Sequence, residues 1–431
     1  MVNKIIEIEE IPKKPQAGTT FLIRGNGMSD YTHGFFKYPC KYIPHIPRWF
    51  LNEYGNSDTE KFGILDPFVG SGTTLVESSL IGYPSYGIDI DPLSCLLSKV
   101  KTTKFNKKEI KLLEDVVKVF KERLRKDVIS DSGILKYQPD YSMLDYWFSK
   151  DAIKNLSKIK YHIDYFYKKT KSKRIRDFLL IAFASIIRRA SLAEEQSPKP
   201  YISKKIKKRV VEADKLFISV LEKYVKALKD FSEDTKISSA KLIGYEARNI
   251  NKKSIKNGSV HLAMTSPPYI NAFDYVRSLK LENIWLNLVK EDGLSDFYDK
   301  QVGTEKISSD RYNKEYPITG YLLLDDKLKK IYQIDKKRSY VVADFFLSMK
   351  RNLEEIRKAL IPGGYYCIVV GNSQIRKVEI PTSQYLIDIA KSLNYKLINN
   401  FSYIIRNRYL RIPRQGRGGF IPKDYIIVFK K

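Results

Sequence analysis

The stretch Ile64-Leu65-Asp66-Pro67-Phe68-Val69-Gly70-Ser71-Gly72-Thr73-Thr74 constrains this chain's fold more than any other. A short apolar run stops at an acid, a glycine turn follows, and a helical pattern then continues to about Gly82. A second run, Ser85-Tyr86-Gly87-Ile88-Asp89-Ile90-Asp91-Pro92, ends in acids. Strand, tight turn, helix and strand in that order describe a βαβ unit, which buries its strands in an open sheet covered by helices. The expected fold class is therefore α/β.

The turn narrows the ligand. Gly70 and Gly72 let the backbone bend sharply and leave no Cβ in a ligand's way. The Gly-Lys-Ser/Thr ending of a phosphate-gripping loop is missing, and the glycines are too few for the dinucleotide fingerprint. An acid at the end of the second strand accepts hydrogen bonds from ribose hydroxyls in nucleoside-binding α/β units. Asp89 is the first choice for that role and Asp91 the second, since Asp91 also suits the cap of a helix starting near Pro92. The two strands together describe a nucleoside site for a ligand without a pyrophosphate.

The α/β pattern resumes with a third strand and an acidic turn at 241–249, containing Glu246, and a fourth strand through Val260, Leu262, Ala263 and Met264. That strand runs into Thr265-Ser266-Pro267-Pro268-Tyr269. The consecutive prolines stiffen the loop and remove two donors. What remains is a hydroxyl, carbonyls of fixed direction and a flat ring, a set that suits a planar, amine-bearing ring. The same residues also read as a proline-rich turn before a helix expected over about Phe273 to Leu288. Residues 290–338 read as a long loop region. A helix over 341–360, a turn at Pro362-Gly363-Gly364, a strand Tyr365–Val370, a helix over 382–393 and strands at 395–405 and Tyr425–Phe429 complete the pattern.

Charge bears on the partner. The 431 residues carry 77 Lys and Arg against 49 Asp and Glu, a net charge of +28, which favours a polyanion such as nucleic acid, although charge also serves solubility. Residues 105–235 repeat apolar positions at helical spacing and carry a basic tract at 199–209, with Lys204, Lys205, Lys207 and Lys208. Between the last two strands, residues 406–419 hold five arginines and no acid, a plausible clamp on phosphates through Arg408, Arg411, Arg414 and Arg417. Three scattered cysteines and four histidines complete no zinc pattern, so a metal-free protein of a reducing cytoplasm, associated with the nucleoid, is expected. The acidic N-terminus lacks the apolar core of a signal peptide, and no run approaches the length of a membrane span.

These motifs together resemble the S-adenosylmethionine-dependent DNA amino-methyltransferases, in particular those that make N4-methylcytosine. Asp66 through Thr74 resembles the family's cofactor glycine motif. Thr265-Ser266-Pro267-Pro268-Tyr269 resembles its catalytic motif in the serine-led form usual for cytosine enzymes. Phe36-Lys37-Tyr38-Pro39-Cys40-Lys41-Tyr42-Ile43-Pro44 resembles the segment along the methionine part of the cofactor. The resemblance covers roughly 30–100 and 240–431. It implies a Rossmann-like methyltransferase sheet with a reversed C-terminal β-hairpin, plus a mainly helical insertion. The implied divisions are 1–104 and 239–431 for the methyltransferase domain, and 105–238 for the insertion, a possible DNA-recognition region. It implies S-adenosyl-L-methionine bound by Tyr38, Pro39, Asp66, Phe68, Gly70, Gly72, Thr73, Thr74, Asp89 and Glu246. It implies catalysis by Ser266, Pro267, Pro268 and Tyr269 on a base flipped out of double-stranded DNA, with a cognate restriction endonuclease as a candidate companion. Two departures stand out. The cofactor motif precedes the catalytic one, the reverse of many cytosine-N4 enzymes, and Glu246 stands where such enzymes often carry aspartate. Adenine N6, an amine in RNA, and an inactive DNA-binding protein on the same fold stay open as alternatives. Cytosine-C5 chemistry does not fit, because no cysteine lies in a Pro-Cys loop after the fourth strand.

Overall fold

The computed structural model describes residues 5–126, 131–195, 197, 199–205, 208–234, 236–243, 246–250, 252–270, 274–312, 315–405 and 421–431. Its strands are β1 (Ile5–Ile8), β2 (Thr20–Ile23), β3 (Ile64–Asp66), β4 (Ser85–Gly87), β5 (Ala240–Leu242), β6 (Val260–Thr265), β7 (Leu360–Gly371), β8 (Ser373–Ile375), β9 (Val378–Ile380), β10 (Lys396–Ile404) and β11 (Lys423–Lys430). Among the described residues, nine of them form one sheet in the order β1-β2-β10-β11-β7-β6-β3-β4-β5. Every neighbouring pair is parallel except the two that β11 makes, with β10 and with β7. The expected Rossmann-like sheet with a reversed C-terminal hairpin is what the chain adopts.

The order places the site. From β3 the chain proceeds outward to β4 and β5 on one side, then returns to lay β6 and β7 on the other. The carboxyl ends of β3 and β6 thus flank a topological switch point, the crevice where such sheets bind ligands. The glycine turn leaves β3 and the Ser266-Pro-Pro-Tyr269 loop leaves β6 at this crevice.

Alternation along the strands builds two cores, because successive side chains point to opposite faces. Leu262 and Met264 of β6, Cys367 and Val369 of β7, and Ile426 and Val428 of β11 pack with the helix His45–Tyr54 on one face. Ala263, Tyr366, Ile368, Val370, Ile427 and Phe429 pack on the other, under the helices Lys336–Ala359 and Thr382–Ser392. All of β6 is buried, as a central parallel strand should be. A third core fills the helical segment, formed by Lys107–Arg125, Lys150–Thr170, Lys173–Ala190 and Ala213–Glu233. It is continuous with Leu93 and Leu97 of the helix Pro92–Lys101 and with residues 279–286.

Several expectations need correction. The helix expected from Phe273 to Leu288 is two short helices, Tyr275–Ser278 and Lys280–Trp285, and residues 271–273 lie outside the described residues. The region 290–338 is not a long loop: it holds the helices Leu294–Lys300, Ser309–Tyr312 and Leu322–Ile334. Pro362-Gly363-Gly364 sits inside β7 as an irregularity, with Gly363 at φ 79° and a register shift on the β6 side. Within the strand and turn expected over 241–249, the strand is Ala240–Leu242. At the far edge, β1 and β2 extend the sheet with strands that the sequence reading did not anticipate.

Candidate active site

Asp66, the last residue of β3, ties the crevice together from behind. Its carboxylate accepts from Thr74 Oγ1 (2.6 Å), Thr265 Oγ1 (2.7 Å), the Phe68 amide (3.1 Å) and Tyr42 Oη (3.3 Å). Burial raises its pKa to about 6, against the lowering effect of those donors. One side chain thereby joins the glycine turn, its helix and the residue just before Ser266. Asp66 and Thr74, expected to touch the cofactor, instead lie beneath the cleft surface. Thr74 also bonds Tyr42 Oη.

The glycine turn adopts the conformation that its residues require. Gly72, at φ 76°, is the N-cap of the helix Thr73–Ile81. A Cβ there would lie 2.8 Å from Ser98 Oγ and 3.0 Å from Ser98 Cα, so the helix Pro92–Lys101 excludes any side chain. Gly72 is therefore a packing glycine, while Gly70 faces the cleft. Asp89 braces the turn: Oδ2 accepts the Gly70 amide at 2.8 Å and Oδ1 accepts the Asp91 amide at 2.9 Å. Burial, with the neighbouring Asp91 charge, pushes the Asp89 pKa up to about 7. Asp91 behaves as the cap: it takes the Ser94 amide (2.9 Å) and Asn283 Nδ2 (2.8 Å).

These elements wall a cleft of about 880 Å³, its open mouth included. Of the expected cofactor residues, Tyr38, Phe68, Gly70, Thr73, Asp89 and Glu246 line it, together with Ser266 and Pro268 of the catalytic motif. Tyr38 is fixed by a 3.0 Å bond between its hydroxyl and Ser94 Oγ. Among the described residues nothing bonds the Ser266 hydroxyl, which leaves it available to a ligand. Pro267 is buried and does not line the cleft. Pro39 lines a neighbouring hollow with Arg188 and Glu282, which corrects its assignment. Tyr269 is half-buried, and its hydroxyl reaches Asp424 Oδ1 at 2.6 Å.

Glu246 lines the cleft in an ion pair. Arg248 grips its carboxylate through Nε (2.9 Å, to Oε1) and Nη2 (2.9 Å, to Oε2), and the Arg248 amide adds a bond of 3.0 Å. Burial would raise this pKa, but the Arg248 bonds override it and hold the group below its ordinary value. Glu246 therefore faces the cleft as an ionised carboxylate with much of its accepting capacity taken. Arg248 Nη2 also reaches the Lys300 carbonyl at 3.2 Å, drawing residues 297–302 over the cleft.

Sequence reasoning missed Phe297, Gln301 and Val302 as cleft residues, because the segment lacks periodicity. It also missed Lys41 and Tyr275. Lys41 Nζ donates to the His33 carbonyl at 2.7 Å, and burial lowers its pKa to about 8.

The basic tract divides. Lys204 and Lys205 are exposed, as a phosphate contact needs. Lys208 is not available: Nζ donates to the carbonyls of Arg188 (2.8 Å), Ser191 (2.9 Å) and Ala193 (2.8 Å), just past the end of the helix Lys173–Ala190. Its three donors are spent on the fold, so its DNA assignment is corrected to a structural one. Lys207, Arg408, Arg411, Arg414 and Arg417 lie outside the described residues. Among the described residues, no cluster of three His, Cys, Asp or Glu could hold a metal, and no helix is long and apolar enough to cross a membrane.

No family model matches the chain. A segment of 123 residues is 37% identical to the Type II methyltransferase M.MjaII of Methanocaldococcus jannaschii, covering 27% of this chain and 23% of that one. Over 281 residues it is 24% identical to the Type II methyltransferase M.BsoBI of Geobacillus stearothermophilus, covering 59% and 53%. Among solved structures, a DNA modification methylase from Thermus thermophilus matches 43% of this chain and 51% of its own, at 17% identity and a TM-score of 0.21. A form of that methylase in complex with S-adenosyl-L-methionine matches 21% and 38%, at 20% identity and a TM-score of 0.17. Over 424 residues, 93% of its own length and 90% of the relative's, this chain is similar at 25% identity to the Type II methyltransferase M.MvaI of Kocuria varians.

Proposed function

We propose that this chain is an S-adenosylmethionine-dependent DNA methyltransferase, and that the atom it methylates is the exocyclic N4 of cytosine in double-stranded DNA. The observation that carries the reading is one cleft, at the sheet's switch point, lined both by Gly70 and Asp89 and by Ser266 and Pro268. The full-length similarity to a Type II methyltransferase supports the coarser part. The serine that leads the Pro-Pro-Tyr loop supports cytosine. A cognate restriction endonuclease is the companion activity this reading expects.

The residues present fit the cofactor. Asp89 offers acceptors to ribose hydroxyls, Gly70 lets the ligand approach, and Tyr38, Phe68 and Thr73 complete the wall. Bound there, S-adenosylmethionine would supply an electrophilic methyl group on sulfur. The chain's own residues supply the rest. A cytosine amine inside a duplex is out of reach, so the base must leave the stack, costing a few kcal/mol that contacts in the site offset. The amine is a poor nucleophile because its lone pair is delocalised into the ring. Ser266, which lines the cleft, offers Oγ as an acceptor for the amine's hydrogens. We assign the second acceptor to the main-chain carbonyl of Pro267, although that residue lies outside the cleft lining; together they favour a more tetrahedral nitrogen. Tyr269 is the ring on which the base rests. Catalysis is then positioning and electrostatics without a covalent intermediate. The helical segment 105–238 is the part we assign to DNA recognition.

The test is mass spectrometry of nucleosides from DNA and RNA treated with the protein and S-adenosylmethionine. N4-methylcytosine in DNA is expected. N6-methyladenine would show that the leading serine misled, methylated RNA with untouched DNA would overturn the substrate class, and no product at all would favour a binding protein. Tyr269→Ala should lose stacking of roughly 1–3 kcal/mol and on the order of 10²-fold in rate. Ser266→Ala should lose much but not all activity, since the Pro267 carbonyl remains. Both variants should still bind the cofactor.

A further inference from the structure

We propose that Asp424 is a positioning residue for methyl transfer, holding the Tyr269 ring at the angle at which the target base meets it; this rests on the methyltransferase reading above. β11 alone in the sheet runs against its neighbours, so its first residues lie at the same edge as the last residues of β6 and β7. Asp424 there stands opposite Gly371 of β7 and opposite Tyr403 of β10. Its two carboxylate oxygens are divided between two rings. Oδ1 accepts from the Tyr269 hydroxyl at 2.6 Å and Oδ2 from the Tyr403 hydroxyl at 2.8 Å.

A carboxylate only 4% exposed is costly to hold without a cation, and among the described residues none pairs with it. Burial accordingly raises its pKa to about 6, against the two hydroxyl donors. Such a group is an expensive way merely to close a hairpin. What it achieves is geometric. The main chain after two prolines fixes the near end of Tyr269, and Asp424 fixes the far end. Gly371 makes room for the pair: a Cβ there would lie 3.1 Å from Asp424 Oδ1 and 3.3 Å from Tyr269 Cε2.

The experiment is a double-mutant cycle on turnover at saturating DNA and S-adenosylmethionine, with cofactor affinity read by calorimetry. Asp424→Ala and Tyr269→Phe should each lower kcat by about tenfold or more, and the double variant should fall no further than the worse single one. Cofactor Kd should stay within about twofold of wild type, since neither residue lines the cofactor wall. Tyr403→Phe should leave kcat near wild type. Losses that multiply, or a loss reproduced by Tyr403→Phe and not by Tyr269→Phe, would overturn the proposal and reduce Asp424 to a hairpin support. If Asp424→Ala fails to fold, Asp424→Asn takes its place in the cycle. Unimpaired kcat in Tyr269→Phe alone also overturns it. A wild-type protein that methylates no nucleic acid sinks the underlying reading instead, which keeps the two failures apart.

Discussion

Asp89 does two things at once, and its titration separates them. The carboxylate braces the Gly70 amide and offers its remaining lone pairs to the cleft. Asp89→Ala should weaken S-adenosylmethionine binding about 10- to 100-fold, because charge-assisted bonds are lost and the Gly70 amide is orphaned. Every donor facing Asp89 favours the ionised form, and burial has raised its pKa to about 7. Binding should therefore tighten as pH rises from about 6 to about 8, and the trend should flatten in Asp89→Ala. Calorimetry at both values reads it, and affinity that falls with pH in the wild type would contradict the assignment. Asp89 and Ser266 were legible in the sequence because each sits at a strand end beside a turn of distinctive composition. Asp66, Thr74 and Asp424 were not, because their meaning lies in partners up to 199 residues away: Thr265 for Asp66, Tyr269 for Asp424. Glu246 was legible as an acid at the right strand end, but its capture by Arg248 depends on the turn between them.

At the scale of the element, Lys208 shows how a basic tract hides a structural part. A helix leaves its last carbonyls without partners, and a cation there is favoured by the helix dipole. Lys208→Met should remove the donor to the Ser191 and Ala193 carbonyls, and one of those on the Arg188 carbonyl, which Ser191 Oγ still reaches at 2.8 Å. The cost should be about 1–3 kcal/mol in stability, read as a lower urea midpoint. Lys205→Ala, three residues away and exposed, should leave the midpoint unchanged. Equal effects from the two would refute this division of the tract. The helix Lys107–Arg125 was legible because it keeps one apolar stripe. The helix Leu322–Ile334 was not. Leu324, Leu328 and Ile331 face the core, but Leu322 (84% exposed), Leu323 (70%) and Ile334 (62%) face solvent and blur the period. The strands β1 and β2 are only four residues each, and β2 joins the sheet through β10 from the other end of the chain, so no local pattern marks them.

For the whole molecule, the βαβ unit was legible because it leaves local marks, whereas the reversal of the C-terminal hairpin came only from the resemblance. Net charge is the opposite case: +28 points to a polyanion without saying which cations meet it. Lys101 is buried on the Ser71 carbonyl at 2.7 Å, Lys158 on that of Leu124 at 2.9 Å, and Lys208 caps a helix. Each is lost to DNA and tied to the fold. Cations that do meet phosphates release counterions, so affinity for duplex DNA should fall linearly with salt on a log–log plot, with a slope of about −0.9 per contact. Replacing Lys204 and Lys205 by Ala should flatten that slope by up to about 0.9 each while leaving cofactor binding and the unfolding midpoint untouched. A duplex titration across a salt series measures it. If removing both exposed lysines changes neither slope nor affinity, the 199–209 tract is not part of the DNA interface, and the charge there serves solubility alone.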